Sequence, residues 1–289
     1  MSSKVKLTIL NSMAGRDFEQ ALDQHLAWGL SVLDLKDAIY GKTVDDLLPQ
    51  EAEQVAKAIT ARGLTVETLS TGIFHADIEQ GEAAFRACFS DKLAHILQTA
   101  PILQPRNVRL LSATSSKRAE FADSAAYISR QHSWLLPLYR EAIDQLHEIG
   151  FRVVIENEVN QSIFSKPQEI VDFFRLLDCG DKAGFTWDIA NLWEEGTFPS
   201  LDVYAHLKPL IRLVHLKGGQ RSDGQRLASS LEDASWPVKE IISAVLRDGV
   251  SPVICINPSH GAKNPAYNHT LADYERDILY LRREFEGIE

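Results

Sequence analysis

What most constrains this chain is a repeat of pattern, not of sequence. Short β-rich runs recur at residues 5–10, 31–36, 64–70, 107–111, 151–156, 183–188, 211–217 and 252–257, and every gap is long enough for a helix. Strand and helix in strict alternation build a parallel sheet, because each strand must return to the same edge through a crossover. Eight such units within 289 residues predict a single (β/α)8 barrel over residues 1–289. A doubly wound open sheet is the alternative. It is disfavoured because no glycine-rich phosphate fingerprint follows an early strand. No Pro/Gly/Ser-rich break or charge block marks a linker between two domains.

The intervening segments carry helical periodicity and its punctuation. Leu47, Val55 and Ile59 share one face of a segment with Thr43 as its cap and Gly63 as its stop. Ile143, Leu146 and Ile149 share another, ended by Gly150. Ser165-Lys166-Pro167 opens a third, which Gly180 closes. The last helix, over residues 270–286, sets Leu271, Tyr274, Ile278, Leu281 and Phe285 near one face. Residues 112–131 and 218–236 are longer than plain connections. Both follow strands, so both fall at the C-terminal mouth, where barrel loops build active sites.

Composition narrows the class. Hydrophobic residues make up 45% and charged residues 24%, enough apolar material for a sizeable core and too much for a disordered chain. The formal net charge of -10 repels phosphate backbones and anionic lipid, so neither nucleic acid nor membrane is an expected partner. No apolar stretch approaches the roughly 20 residues that span a bilayer. The first residues carry no long apolar leader, so a cytoplasmic location is expected. Cys88, Cys179 and Cys255 are widely spaced, in neither a disulfide nor a zinc-ribbon pattern.

Polar residues gather where the strands end. Glu156 closes the fifth run, Asp188 the sixth and Asn257 the eighth, and His215 lies near the end of the seventh. In a barrel these ends surround one mouth. Two carboxylates, an imidazole and an amide suit one divalent ion such as Mn, Co, Zn or Mg. Taken singly, an acid at a strand end is a helix cap and a strand histidine is structural. Their succession over four consecutive strands is what points to a metal.

Glu156-Asn157-Glu158, Trp187-Asp188-Ile189-Ala190-Asn191, Val214-His215-Leu216-Lys217 and Ile256-Asn257-Pro258 resemble motifs of the xylose-isomerase-like TIM-barrel family. This is the sugar phosphate isomerase/epimerase superfamily, which includes ketose 3-epimerases and hydroxypyruvate isomerase. The resemblance implies one divalent metal held by Glu156, Asp188 and His215, with Asn257 where the family carries a second Glu. It also implies a small carbohydrate-like substrate, and a substrate-contacting Arg221. Asn191 departs from the pattern too, standing where many members have a histidine.

Other residues complete the candidate site. Lys217 shares the facing of His215 by strand alternation, so its ammonium could reach a substrate oxygen or snorkel to solvent. Glu156 could move a proton, and Glu158 could be a second acid/base or a loop cap. Arg109, inside the fourth strand, requires a carboxylate partner if it points inward, and could touch substrate. Lys36 and Asp37 end the second strand, where a salt bridge between neighbouring loops is expected. His75 and His260 could line the mouth. Trp187 reads as core and Trp193 as a wall for a sugar ring. The leading activity is metal-dependent isomerisation or epimerisation of a polyhydroxylated carbonyl compound. A lyase or dehydratase on the same site, or a sugar-binding barrel that has lost a catalytic acid at Asn257, are the alternatives. Abasic-site endonuclease activity is disfavoured by the acidic charge and the few strong ligands. Barrels of this type often pair as homo-oligomers, but no residue marks an interface.

Overall fold

The computed structural model describes residues 4–222, 225–257 and 270–289. Eight parallel strands form the sheet: β1 (Lys6–Ile9), β2 (Val32–Leu35), β3 (Thr65–Ser70), β4 (Asn107–Leu111), β5 (Arg152–Glu156), β6 (Ala183–Asp188), β7 (Ile211–Leu216) and β10 (Val253–Ile256). Between β7 and β10, β8 (Gln220–Ser222) and β9 (Gln225–Leu227) make a small antiparallel hairpin. The sheet runs β1-β10-β7-β6-β5-β4-β3-β2, and a parallel bridge from Leu10 to Asp34 brings its two edges together. This is a nearly closed (β/α)8 barrel. Every expected strand is present, some shorter by a residue or two at an end.

Helix starts differ more. The first expected cap, Thr43, leads only into a short 3-10 turn, Val44–Asp46, and its hydroxyl donates to the carboxylate of Asp46 at 2.6 Å. The helix itself is Pro49–Ala61: Pro49 supplies a preset φ, and Glu51 accepts the Leu48 N–H at 2.8 Å. Likewise Pro167–Leu177 ends at Asp178 in the left-handed region, and Gly180 opens the following turn instead. The last helix, Leu271–Glu284, is shorter than residues 270–286 and is capped by the Thr270 hydroxyl, which accepts from Asp273 N. The long stretch 112–131 contains the helix Ser124–Gln131, and 218–236 contains the hairpin.

The apolar core lies between strands and helices, with Trp187, Tyr139, Phe85 and Phe185 among its fully buried rings. The barrel lumen is different. Val32, Val154, Leu213 and Val253 form a separate small cluster inside it. Alternation from Val154 puts Glu156 toward the mouth and Arg152 toward the floor on the same side of β5. Asp34, Thr68, Arg109 and Thr186 are also buried, so the lumen is unusually polar.

Candidate metal centre and active site

Glu156, Asp188 and His215 are fully buried, and one ligand atom from each lies within 4.8 Å of the others. Glu156 Oε1 is 2.9 Å from His215 Nδ1. Asn257 closes the group: its amide nitrogen lies 3.2 Å from both Asp188 Oδ2 and His215 Nδ1. These separations match ligand edges around an ion with bonds of about 2.1 Å. Rotating the Asn257 amide by half a turn, an assignment its surroundings decide, presents Oδ1 in place of nitrogen. The donor set therefore fits a divalent ion. Asp188 is also a helix cap, since Oδ1 accepts from Ala190 N at 3.1 Å and Asn191 N at 2.9 Å. That anchoring leaves Oδ2 directed at the cluster.

Two cations complete the arrangement. Arg109 does have its carboxylate partner: one guanidinium nitrogen donates to Glu156 Oε2 at 2.6 Å and another to Thr71 O at 2.9 Å. Lys217 Nζ lies 2.8 Å from Asp188 Oδ2 and 2.6 Å from Asn191 Oδ1. Asn191 thus holds the lysine, and it also donates to Asn157 O at 3.0 Å. Asn157 in turn clamps β5 to β6, donating to Asp188 O at 2.9 Å and accepting Asp188 N at 3.0 Å.

Electrostatics follow from this geometry. Burial alone would raise the Glu156 carboxyl, but His215 and Arg109 hold it well below the usual range. Burial raises Asp188 despite the opposing Lys217. His215 would be depressed by burial, yet Glu156 and Asp34 bring it to about 9. Asp34 Oδ2 lies 3.4 Å from His215 Nε2, and Ser70 donates to the other Asp34 oxygen. Both ring nitrogens thus face a carboxylate, Nε2 toward Asp34 and Nδ1 toward Glu156, and Nδ1 would become a ligand atom on loss of its proton. Cys255 Sγ also lies near Asp34 and His215, but burial and then Asp34 raise its thiol well above the usual range. Its thiolate is therefore disfavoured as a ligand.

The remaining candidates are more scattered. Glu158 is half-buried; its Oε2 accepts from Val159 N at 3.2 Å and lies 3.5 Å from Asn191 Nδ2. Trp193, buried, packs edge-on to Phe198 and against the loop before β8, where a Cβ on Gly219 would lie 2.9 Å from its ring. Arg221 is exposed on β8, where its backbone N–H donates to Ser235 Oγ at 2.9 Å. His75 is exposed after β3. His260 lies outside the described residues. The expected salt bridge of Lys36 or Asp37 does not form among the described residues. Instead Asn11 Oδ1 accepts Lys36 N at 2.8 Å, and its amide donates to Asp37 O at 2.7 Å. Asp34, Asn157 and Asn191 carry much of the site's order. A lone aspartate between Leu33 and Leu35 was the available signal for the first.

Buried acid, acid, imidazole and amide thus stand at the ends of four consecutive strands of one barrel. Residues 26–283 match the family model described as xylose isomerase-like TIM barrel, and the chain belongs to that family. No curated protein matches it. Among solved structures it resembles a xylose isomerase-like TIM barrel protein from Mycobacterium smegmatis in complex with magnesium. The two are 16% identical over 98% of this chain and 96% of that one, with a TM-score of 0.71. It also resembles a D-psicose 3-epimerase in the presence of D-fructose (13% identity, 97% and 99% covered, TM-score 0.69). A third likeness is to the probable 3-DHS dehydratase AsbF from Bacillus anthracis (14% identity, 96% and 98% covered, TM-score 0.69).

Proposed function

We propose that this protein is a divalent-metal-dependent isomerase or epimerase of a small sugar or related polyhydroxylated carbonyl compound. The observation that carries the reading is the convergence of Glu156, Asp188, His215 and Asn257 at one end of the barrel lumen. The likeness to a magnesium-bound barrel and to an epimerase in the presence of a ketose supports it. A bound ion supplies Lewis acidity to a substrate carbonyl and so acidifies the neighbouring C–H.

The side chains divide the remaining work. Glu156 has both carboxylate oxygens engaged, by His215 and Arg109, and is held strongly ionised, which makes it a ligand and a poor proton acceptor. Glu158, two residues on and only half-buried, is the better base. Its charge also acts on Lys217. Lys217, fixed by Asp188 and Asn191, can donate a proton or hydrogen bond to a substrate oxygen as charge develops there. Trp193 and Arg221 serve as substrate wall and rim contact, and His75 as a candidate at the same mouth. Abstraction followed by loss of a neighbouring hydroxyl would make the enzyme a dehydratase, a second reading favoured by the likeness to AsbF.

The test is turnover followed by proton NMR over a panel of ketoses, ketose phosphates and 2-keto acids, with the protein metal-loaded or chelated. Interconversion that disappears with chelator, and in Glu156→Gln together with bound metal, is the expected result. Turnover unchanged by chelator would overturn the metal-dependent reading.

A further inference from the structure

The opposite end of the barrel carries a second cluster. A cavity of about 300 Å³ opens at the N-terminal ends of the strands, lined by the guanidinium-bearing Arg106, Arg152 and Arg212 with Asn107 and a single acid, Asp181. Among the described residues, none of the three arginines makes a salt bridge, in a chain with 40 acidic side chains against 30 basic ones. Beside it lies a wider depression that shares Arg106 and Arg152 and adds Lys6 and the buried Glu67. Counting Lys6, Glu67 and Asp181, positive charge still exceeds negative by two.

Arg212 is placed there by a specific irregularity. The β6–β7 register slips between Phe185 and Thr186, which pair with Ile211 and Leu213, so Arg212 is the extra residue of a bulge. Bulges re-aim a side chain out of strict alternation. Its stem then crosses Gly184, where a Cβ would lie 2.2 Å from Arg212 Cγ. Only glycine leaves room for it. One guanidinium nitrogen is held by Ile211 O at 2.8 Å and Pro209 O at 3.1 Å, so neutral carbonyls fix the side chain and leave its charge uncompensated. The small apolar cluster of Val32, Val154, Leu213 and Val253 lies in the lumen. Arg152 and Glu156 sit at opposite ends of β5, about 13 Å apart along the strand.

We propose that this floor is a second ligand site, for a compact polyanion carrying phosphate or carboxylate groups. Guanidinium forks match the paired oxygens of such groups. Exposed arginines at the rim leave the cavity open to solvent.

The experiment is calorimetric titration of the full chain with inorganic pyrophosphate and, in parallel, citrate. The protein is first stripped of metal and the chelator dialysed away, so that neither anion can bind through an ion at the mouth and no other polyanion competes for the floor. Saturable binding of at least one anion, at one per chain, is expected. Arg152→Gln and Gly184→Ala should each weaken it about tenfold, while Arg130→Gln, an exposed arginine on an outer helix, should change it less than twofold. Pyrophosphate binding alone would assign a phosphate ligand, and citrate binding alone a polycarboxylate. No saturable binding of either anion would overturn the site. So would binding indifferent to Arg152→Gln, or equally weakened by Arg130→Gln.

Discussion

Asn257 and Lys217 set the charge of the proposed metal centre. Counting only Glu156 and Asp188 against a 2+ ion gives neutrality. The structure adds Asp34, 3.4 Å from His215, and the cations Arg109 and Lys217. With His215 protonated, as its raised titration requires at neutral pH, the metal-free cluster is formally neutral, and a 2+ ion that displaces the Nδ1 proton makes it +1. Each ligand carboxylate therefore has a cation of its own that competes with a metal. Asn257→Glu places another carboxylate beside Asp188 and should tighten metal binding by about tenfold or more, as measured by competition with a chelating dye. Unchanged affinity would mean that Asn257 does not face the ion. Lys217→Met should likewise strengthen metal binding by about tenfold, since it removes a charge lying 2.8 Å from a ligand oxygen. The same change should destabilise the metal-free chain by about 3–5 kcal/mol, because Asp188 stays buried without its partner. Thermal melts with and without metal read both effects. Strand-end acids were legible in the sequence because alternation fixes their facing once the strands are known. Asp34 is not legible in the same way, because its role arises from a histidine 181 positions away, and only barrel closure joins them.

Among elements, the strands were the most legible and the helix starts the least. A buried parallel strand is a continuous apolar run that few other structures can absorb. A helix start depends on which of several polar residues wins the cap, and at Thr43 the side chain bonded to Asp46 instead of to the helix backbone. The hairpin of β8 and β9 lay inside an expected long loop, and polar Gln220–Ser222 has no apolar alternation to announce it. The last helix carries its own pH response. Asp277, buried on that helix, accepts Leu231 N at 2.7 Å, and burial pushes its carboxyl up to about 7. The folded chain keeps this proton at pH values where the unfolded chain, near 3.8, has released it. The stabilising contribution is therefore complete below about pH 4 and is lost as pH rises toward 7. Asp277→Asn keeps an acceptor for Leu231 N without the charge. It should raise stability at pH 8 by on the order of 1–3 kcal/mol, with the gain vanishing near pH 4. A gain independent of pH in denaturant melts would contradict this.

At the scale of the molecule, the barrel separates an acidic, cation-balanced centre at the C-terminal ends of the strands from an arginine-lined floor at the other. No helix of the described residues is long and apolar enough to cross a membrane. The alternation of eight units made the architecture readable, whereas pairing of charges across the lumen required the closed sheet. As proposed, the mouth acidifies a C–H next to a carbonyl and moves its proton through a side chain. Deuterium wash-in tests that directly: substrate candidates are incubated in D2O with metal-loaded protein, with chelated protein and with Glu158→Gln. Deuterium is expected at the carbon next to the carbonyl only with metal, reduced by about 100-fold or more in Glu158→Gln. Metal-loaded protein that incorporates none, across ketoses and 2-keto acids alike, would contradict it.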